Sequence, residues 1–272
     1  MIRHPFLDQP APAWKRDLPR PDETPALAHN IWYLATAPTE ISDVYMELPT
    51  SPLRSRGVVI WLGLMAIAAS LIPLSTIIFV AIIQAKTLSA WIVFAGFSIT
   101  LIGAWFGVFT LRSDLYMPRN QPIRFNRLRR KVYAYHFDMD WKRPFSKKGW
   151  GVRVATYRWE DLHAEVSEIY GAMGTGGHIQ TVYLSARKPG TKDVAHRFVL
   201  SLDLYQGESY WEAARIFMEY GMPVMPTFQY ASKDRNNESS PLNIFWRFAP
   251  QVQWPEHIDL ESRTAPTPAE QK

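Results

Sequence analysis

Cysteine is absent from the 272 residues, so thiolate nucleophiles, thiolate metal sites and disulfides are excluded. Histidines, carboxylates, hydroxyls and amines remain for chemistry. Three groupings have the residue types for it. His136, Asp138 and Asp140 alternate along a segment rich in β-formers. A strand would put them on one face, where one imidazole and two carboxylates could ligate a metal. No second cluster pairs with them, and a polar strand end with solvated carboxylates is the simpler expectation. Trp159-Glu160-Asp161-Leu162-His163 gathers two acids and a histidine. Paired carboxylates do acid–base work when their surroundings separate their pKa values, but adjacent acids at a strand junction are explained by turn chemistry alone. Gly174-Thr175-Gly176-Gly177 has the glycines of a phosphate loop without the Gly-Lys-Ser/Thr ending or a following helix. Neither Gly-x-Ser-x-Gly nor His-Glu-x-x-His occurs. The expectation is a non-enzymatic chain with no metal and no cofactor.

The strongest polar signal is positive charge. Between Arg112 and Arg153 there are 12 Lys and Arg against Asp114, Asp138 and Asp140. Within that stretch Arg124, Arg127, Arg129, Arg130 and Lys131 are the candidate lipid- or partner-binding residues. Basic residues next to a bilayer are attracted to anionic lipid by about 1 kcal/mol each, and they also fix topology. A membrane neighbour accounts for the charge, so no nucleic acid is expected.

That neighbour is the segment before the cluster. Val58 to Ala85 is an uncharged run of 28 residues, and Leu88 to Leu111 is another of 24. A spanning helix needs about 20 apolar residues. The short connection makes the two an antiparallel hairpin, with a kink expected at Pro73. Gly103 and Gly107 have the small-xxx-small spacing that lets helices approach. Trp61, Trp91 and Trp105 lie near run ends, as interfacial aromatics do. Arg54 and Arg56 precede the hairpin, many arginines follow it, and its loop offers only Lys86. The positive-inside rule puts both termini in the cytoplasm.

Four regions follow. Residues 1–57 form a Pro-rich cytosolic arm, extended apart from two docked pieces at 31–34 and 44–48. Residues 58–111 are the transmembrane hairpin (58–85 and 88–111). Residues 112–230 are a cytosolic domain. Residues 231–272 are a C-terminal extension, with Phe245, Trp246, Phe248 and Trp254 able to pack back and a disordered end from Glu261. In the cytosolic domain, 123–125, 132–137, 153–159, 162–169, 182–186 and 194–200 read as strands. Arg127-Leu128-Arg129-Arg130 reads as a turn or hairpin edge. Ser209 and Glu212 fit a capping box opening an amphipathic helix, which Gly221 and Pro223 close. Trp159 and Trp211 fall on apolar phases and are expected in one core. The fold class is α+β: an antiparallel β half-barrel closed by a C-terminal helix, plus the hairpin.

The order of hairpin, Pro122-Ile123-Arg124-Phe125-Asn126-Arg127, the Trp159-Glu160-Asp161-Leu162 step, a strand hairpin and a final helix resembles bacterial pleckstrin-homology-like domains. Phe125 to Tyr135, Trp159 to Val166 and Gly207 to Gly221 resemble an uncharacterised family of bacterial two-pass membrane proteins, often encoded near type VI secretion effector and immunity genes. That resemblance implies an inner-membrane protein with a protein partner, a toxin or a secretion component, and a role in self-protection. It carries over no catalytic residues. The rival expectation is a signalling or assembly scaffold that holds anionic lipid and recruits an envelope machine.

Overall fold

The computed structural model describes residues 4–25, 37–50, 58–84, 87–170, 178–226 and 248–268. Three short strands come first: β1 (Trp14–Asp17), β2 (Glu40–Ile41) and β3 (Tyr45–Leu48). Helices α1 (Val58–Ile78) and α2 (Ala90–Tyr116) follow, α1 running on through a π-helical turn over Phe79–Ile83. Strands β4 (Ile123–Asn126), β5 (Lys131–Asp138), β6 (Gly151–Arg158), β7 (Leu162–Tyr170), β8 (His178–Arg187) and β9 (Val194–Ser201) lead to α3 (Leu204–Tyr220), and α4 (Glu256–Arg263) closes the described chain.

The helices pair tightly because small residues face the seam. A Cβ added at Gly103 would lie 2.4 Å from Ser70 Cβ, and one at Gly107 would lie 2.3 Å from Ile67 Cγ1. The small-xxx-small pair therefore marks a real contact. Gly63 against Thr110 and Gly96 against Ile77 extend it in antiparallel register. Thr100 Oγ1 donates across the seam to the Ser70 carbonyl at 2.8 Å. Asp114 accepts from the Ile60 amide at 3.3 Å, so α2 supplies a carboxylate where the amides at the start of α1 have no acceptor within their own helix. Helix α1 continues through Pro73 without a break. Helix α2 reaches Tyr116, five residues past the apolar run.

The strands form two antiparallel sheets, in the orders β1-β7-β8-β9 and β2-β3-β4-β5-β6. They do not close into a barrel. Inward residues of both meet in one core, with Phe125, Val132, Ala134, Leu162, Val166, Leu184 and Phe217 buried. Trp159 joins the layers: its ring is 6.0 Å from Phe125 and 5.1 Å from Trp211 of α3.

Local chemistry explains the ends of α3. The N-cap is Asp203, whose carboxylate accepts from the Gln206 amide at 2.9 Å, which replaces the expected cap at Ser209. Ser209 is buried within the helix. Gly221, at φ 77°, closes it in the left-handed region that glycine enters without strain.

Two further expectations are corrected. The N-terminal arm is not extended. β1 pairs with β7, and Leu7, Ala11 and Leu18 are buried; the expected docked piece at 44–48 does join the second sheet, as β3. Arg215 and Trp211 hold the arm, donating to the carbonyls of Arg20, Glu23 and Pro19. The C-terminal end is ordered at least to 268, with Glu261 inside α4. Trp254 packs back against Tyr135, whereas Phe248 is exposed. The pieces at 31–34 and 245–246 and the glycine run at 174–177 lie outside the described residues.

Trp211 is 1% exposed and also anchors the arm. Trp211→Ala should cost about 3–5 kcal/mol in chemical unfolding of the full chain in detergent. Tyr205→Ala, at an 80% exposed position on the same helix, should stay within about 0.5 kcal/mol.

Candidate functional site

The β4–β5 turn carries the basic cluster. Asn126 shapes it, its side-chain oxygen accepting from the Arg129 amide at 2.8 Å, and Arg130 takes a positive φ of 54°. The five basic residues do not point outward together. Arg124 is 2% exposed. Its Nε donates to Glu47 at 2.5 Å, and its Nη1 donates to Asp259 at 2.6 Å and Ser262 Oγ at 2.9 Å. Its guanidinium also lies 4.2 Å from the centre of the Trp254 ring. A buried arginine needs such pairing, because an uncompensated charge in the interior is strongly unfavourable. Arg124 is thus a joint between β3, β4 and α4 and is withdrawn from any lipid or partner surface.

The other four are only partly exposed. Lys131 bridges to Glu261 at 2.7 Å, and Arg129 donates to the Thr264 and Ala265 carbonyls. Arg130 meets Glu160 at 2.8 Å and the Met218 carbonyl, and Arg127 reaches the Glu219 carbonyl. The last two donate to the final turn of α3, where carbonyls lack helical partners and the dipole favours cations. Burial opposes the charged forms of Asp259 and Glu261, but hydrogen bonds from Arg124 to the first, and from Lys131 and Tyr133 to the second, hold both carboxyls below their ordinary range. Burial raises the Glu47 carboxyl against the pull of Arg124. The turn is therefore a clasp on α4 and the end of α3, with part of its charge neutralised.

Its place along β5 is opposite that of the loop touching α2. The turn is at one end of β5. The β5–β6 loop is at the other, where Arg112 of α2 donates to the carbonyls of Pro144 and, at 2.7 Å, Ser146. Eight strand residues separate them, about 25 Å at the usual rise. The basic turn is therefore at the end of β5 away from the loop that touches α2.

The histidine and carboxylate groupings are engaged elsewhere. Asp138 pairs with Arg153 at 2.7 Å and Asp140 with Arg143 at 2.8 Å. Among the described residues no group of three or more His, Asp or Glu side chains is arranged to hold a metal. His136 instead faces the seam between the sheets, 5.6 Å from His196 and 4.9 Å from Phe198. His196 contacts the Tyr157 hydroxyl at 2.8 Å and Arg153 at 3.2 Å. Burial, with Arg153 and His196 nearby, pushes His136 down to about 4. Glu160 holds Arg130, and His163 is buried beneath Phe6 with its Nε2 3.2 Å from Asp17. These acids and histidines tie segments together and do not converge on a shared cavity.

A model of a family of unknown function, DUF6708, matches residues 100–266. That is well over half of the chain. The chain belongs to this family. Comparisons with curated proteins and with solved structures return no match. The match begins inside α2 and ends just after α4, so the clasp and the end of the hairpin both lie within it, while the arm and α1 precede it.

Sequence reasoning missed the polar joints. Glu165 is fully buried, accepting from the Ala11 amide, Ser185 and Arg197. Glu165 lies on the face of β7 opposite Leu162, Ala164 and Val166, and it is buried because the arm covers that face.

Two outcomes follow. Arg124→Leu strands Glu47 and should cost about 3–5 kcal/mol in unfolding of the full chain, with partial recovery on adding Glu47→Leu. For His136, the unfolded chain takes up its proton near 6.5 and the folded chain only near about 4. Its contribution is complete above 6.5 and declines as pH falls between those values. His136→Phe should flatten the fall in melting temperature between neutral pH and about pH 5, a window above the one in which Asp259 and Glu261 act.

Proposed function

We propose that this protein is a non-enzymatic, membrane-anchored binding protein, with α1 and α2 crossing a bacterial inner membrane and both termini in the cytoplasm. One observation carries the anchoring. Both helices are long and apolar enough to cross a membrane, and nearly all of that surface faces outward. Core helices of a soluble protein would be covered. Here Trp61, Met65, Ile72, Ile82, Phe94 and Leu101 are all more than half exposed, and such a band is stable only in an apolar surrounding. At 27 residues α2 is about 40 Å long, more than the roughly 30 Å of bilayer hydrocarbon.

The reading of the domain as a binding module is supported by the way the acids and histidines singled out above are engaged in ion pairs, caps and packing between segments. The arrangement of two antiparallel sheets over one core, with a helix following the last strand, is compatible with a pleckstrin-homology-like half-barrel to which β1, β2 and β3 add edges. The resemblance to two-pass proteins encoded beside type VI secretion genes suggests the class of partner, a toxin or a secretion component, and self-protection as the task.

One tagged chain tests both parts. A fluorescent protein fused after Lys272 should be bright, and pull-down of that fusion from native membranes should recover a stoichiometric protein partner by mass spectrometry. A dark fusion that becomes active when the tag is alkaline phosphatase would reverse the topology. Recovery of lipid alone would remove the protein-partner reading.

A further inference from the structure

The β5–β6 loop, residues 139–150, has a composition unlike the other turns of the domain: Met-Asp-Trp-Lys-Arg-Pro-Phe-Ser-Lys-Lys-Gly-Trp. Three of its apolar side chains face outward. Trp141 is 57% exposed, Phe145 67% and Met139 42%. Lys142, Lys147 and Lys148 stand beside them, also exposed. In an ordinary hairpin loop these aromatics would be a liability in water.

The loop is also held against α2. Besides the bonds from Arg112 to its carbonyls, the Arg112 guanidinium lies 4.6 Å from the centre of the Trp150 ring. Trp150 meets Phe109 edge-on at 5.9 Å, and Trp141 meets Trp105 edge-on at 5.7 Å. Trp105 lies seven residues before Arg112, about 10 Å further along the helix. The loop therefore reaches past the charged end of α2 and lies alongside its apolar surface. Backbone geometry and the Asp140–Arg143 pair fix its shape, with the Asp140 carboxylate also accepting from the Lys142 amide at 3.0 Å.

We propose that this loop is a membrane-surface anchor: Trp141, Phe145 and Met139 insert at the level of the lipid headgroups while Lys142, Lys147 and Lys148 meet acidic phosphates. This rests on the reading of α1 and α2 as membrane-spanning. The occupant follows from position and charge. The exposed apolar side chains continue the outward apolar face of α2, so whatever surrounds the helix at Trp105 also surrounds Trp141. Tryptophan suits the boundary because its ring is apolar and its N–H is polar. Lysine stems can lie along apolar surface with the ammonium in the headgroup layer. Four basic residues against Asp140 leave the loop positive, which complements an anionic leaflet. The loop and α2 then hold the domain at two points, which fixes its tilt and directs the basic turn away from the bilayer.

The cysteine-free sequence permits single labels in the full chain. Phe145→Cys, Leu101→Cys and Arg158→Cys, each carrying an environment-sensitive fluorophore, are reconstituted into vesicles of phosphatidylglycerol and phosphatidylcholine with nitroxide-labelled lipids. Leu101 is an outward position within α2, and Arg158 is at the far end of β6 from the loop. The expected result is quenching of the 145 label by shallow nitroxides, of the 101 label by deep ones, and of the 158 label by neither. In the 145-labelled chain, the triple change Lys142→Glu, Lys147→Glu and Lys148→Glu should reduce shallow quenching in phosphatidylglycerol vesicles. A quenched 101 label with an unquenched 145 label overturns the anchor and leaves the spanning hairpin intact. An unquenched 101 label overturns the hairpin and the anchor with it. Quenching at 145 that is unchanged by the triple substitution overturns the acidic-lipid part.

Discussion

The domain depends on one buried charge being paired from two sides. Arg124 lies on β4, its carboxylate partners are on β3 and α4, and its guanidinium stacks on Trp254 between them. A desolvated guanidinium is tolerable only when its donors are satisfied, so none of these segments can leave without stranding it. The same requirement orders the C-terminal segment. α4 is too short to be stable alone in water, and it is held where Arg124, Arg129 and Lys131 meet Asp259, the Thr264 carbonyl and Glu261.

A parallel joint secures the other end of the chain. Glu165 gathers Ser185, Arg197 and the Ala11 amide, and Arg215 grips two carbonyls of the arm. The shared apolar core supplies most of the non-specific cohesion, since burial of apolar area is the dominant favourable term in folding. The polar joints decide which peripheral segments dock and in what register. The domain is thus completed by residues from both sides of the hairpin, β3 from before it and β4 from after it pairing directly. That pairing ties the base of α1 to the base of α2 from outside the helices.

The helices follow a different rule. Their contact is made where glycines meet Ser70, Thr110, Ile67 and Ile77, with most other large side chains turned outward. That is the arrangement expected where the surroundings are as apolar as the side chains and close backbone approach supplies the attraction. Arg112 and the aromatic loop over 139–150 then join this unit to the domain through cation–π and edge-on ring contacts.

The sequence by itself determined the local structure. The six strands of 123–200, the helix ending at Gly221 and the two apolar helices were legible because alternation, period and uncharged length are properties of contiguous residues. Trp159 and Trp211 were legible as core for the same reason. What only the tertiary structure decided was the fate of the charges and the tails. The basic run at 124–131 looks like a surface patch, yet Arg124 turns inward because its partners stand 77 and 135 residues away, beyond the reach of any local pattern. β1, with the sequence Trp-Lys-Arg-Asp, has little apolar alternation and becomes a strand because β7 offers it an unpaired edge. Ser209 lost the capping role to Asp203 because the chain leaving β9 turns into the helix earlier than the capping motif suggests. Local propensity selects the elements. Long-range pairing of buried polar groups selects which residues complete them.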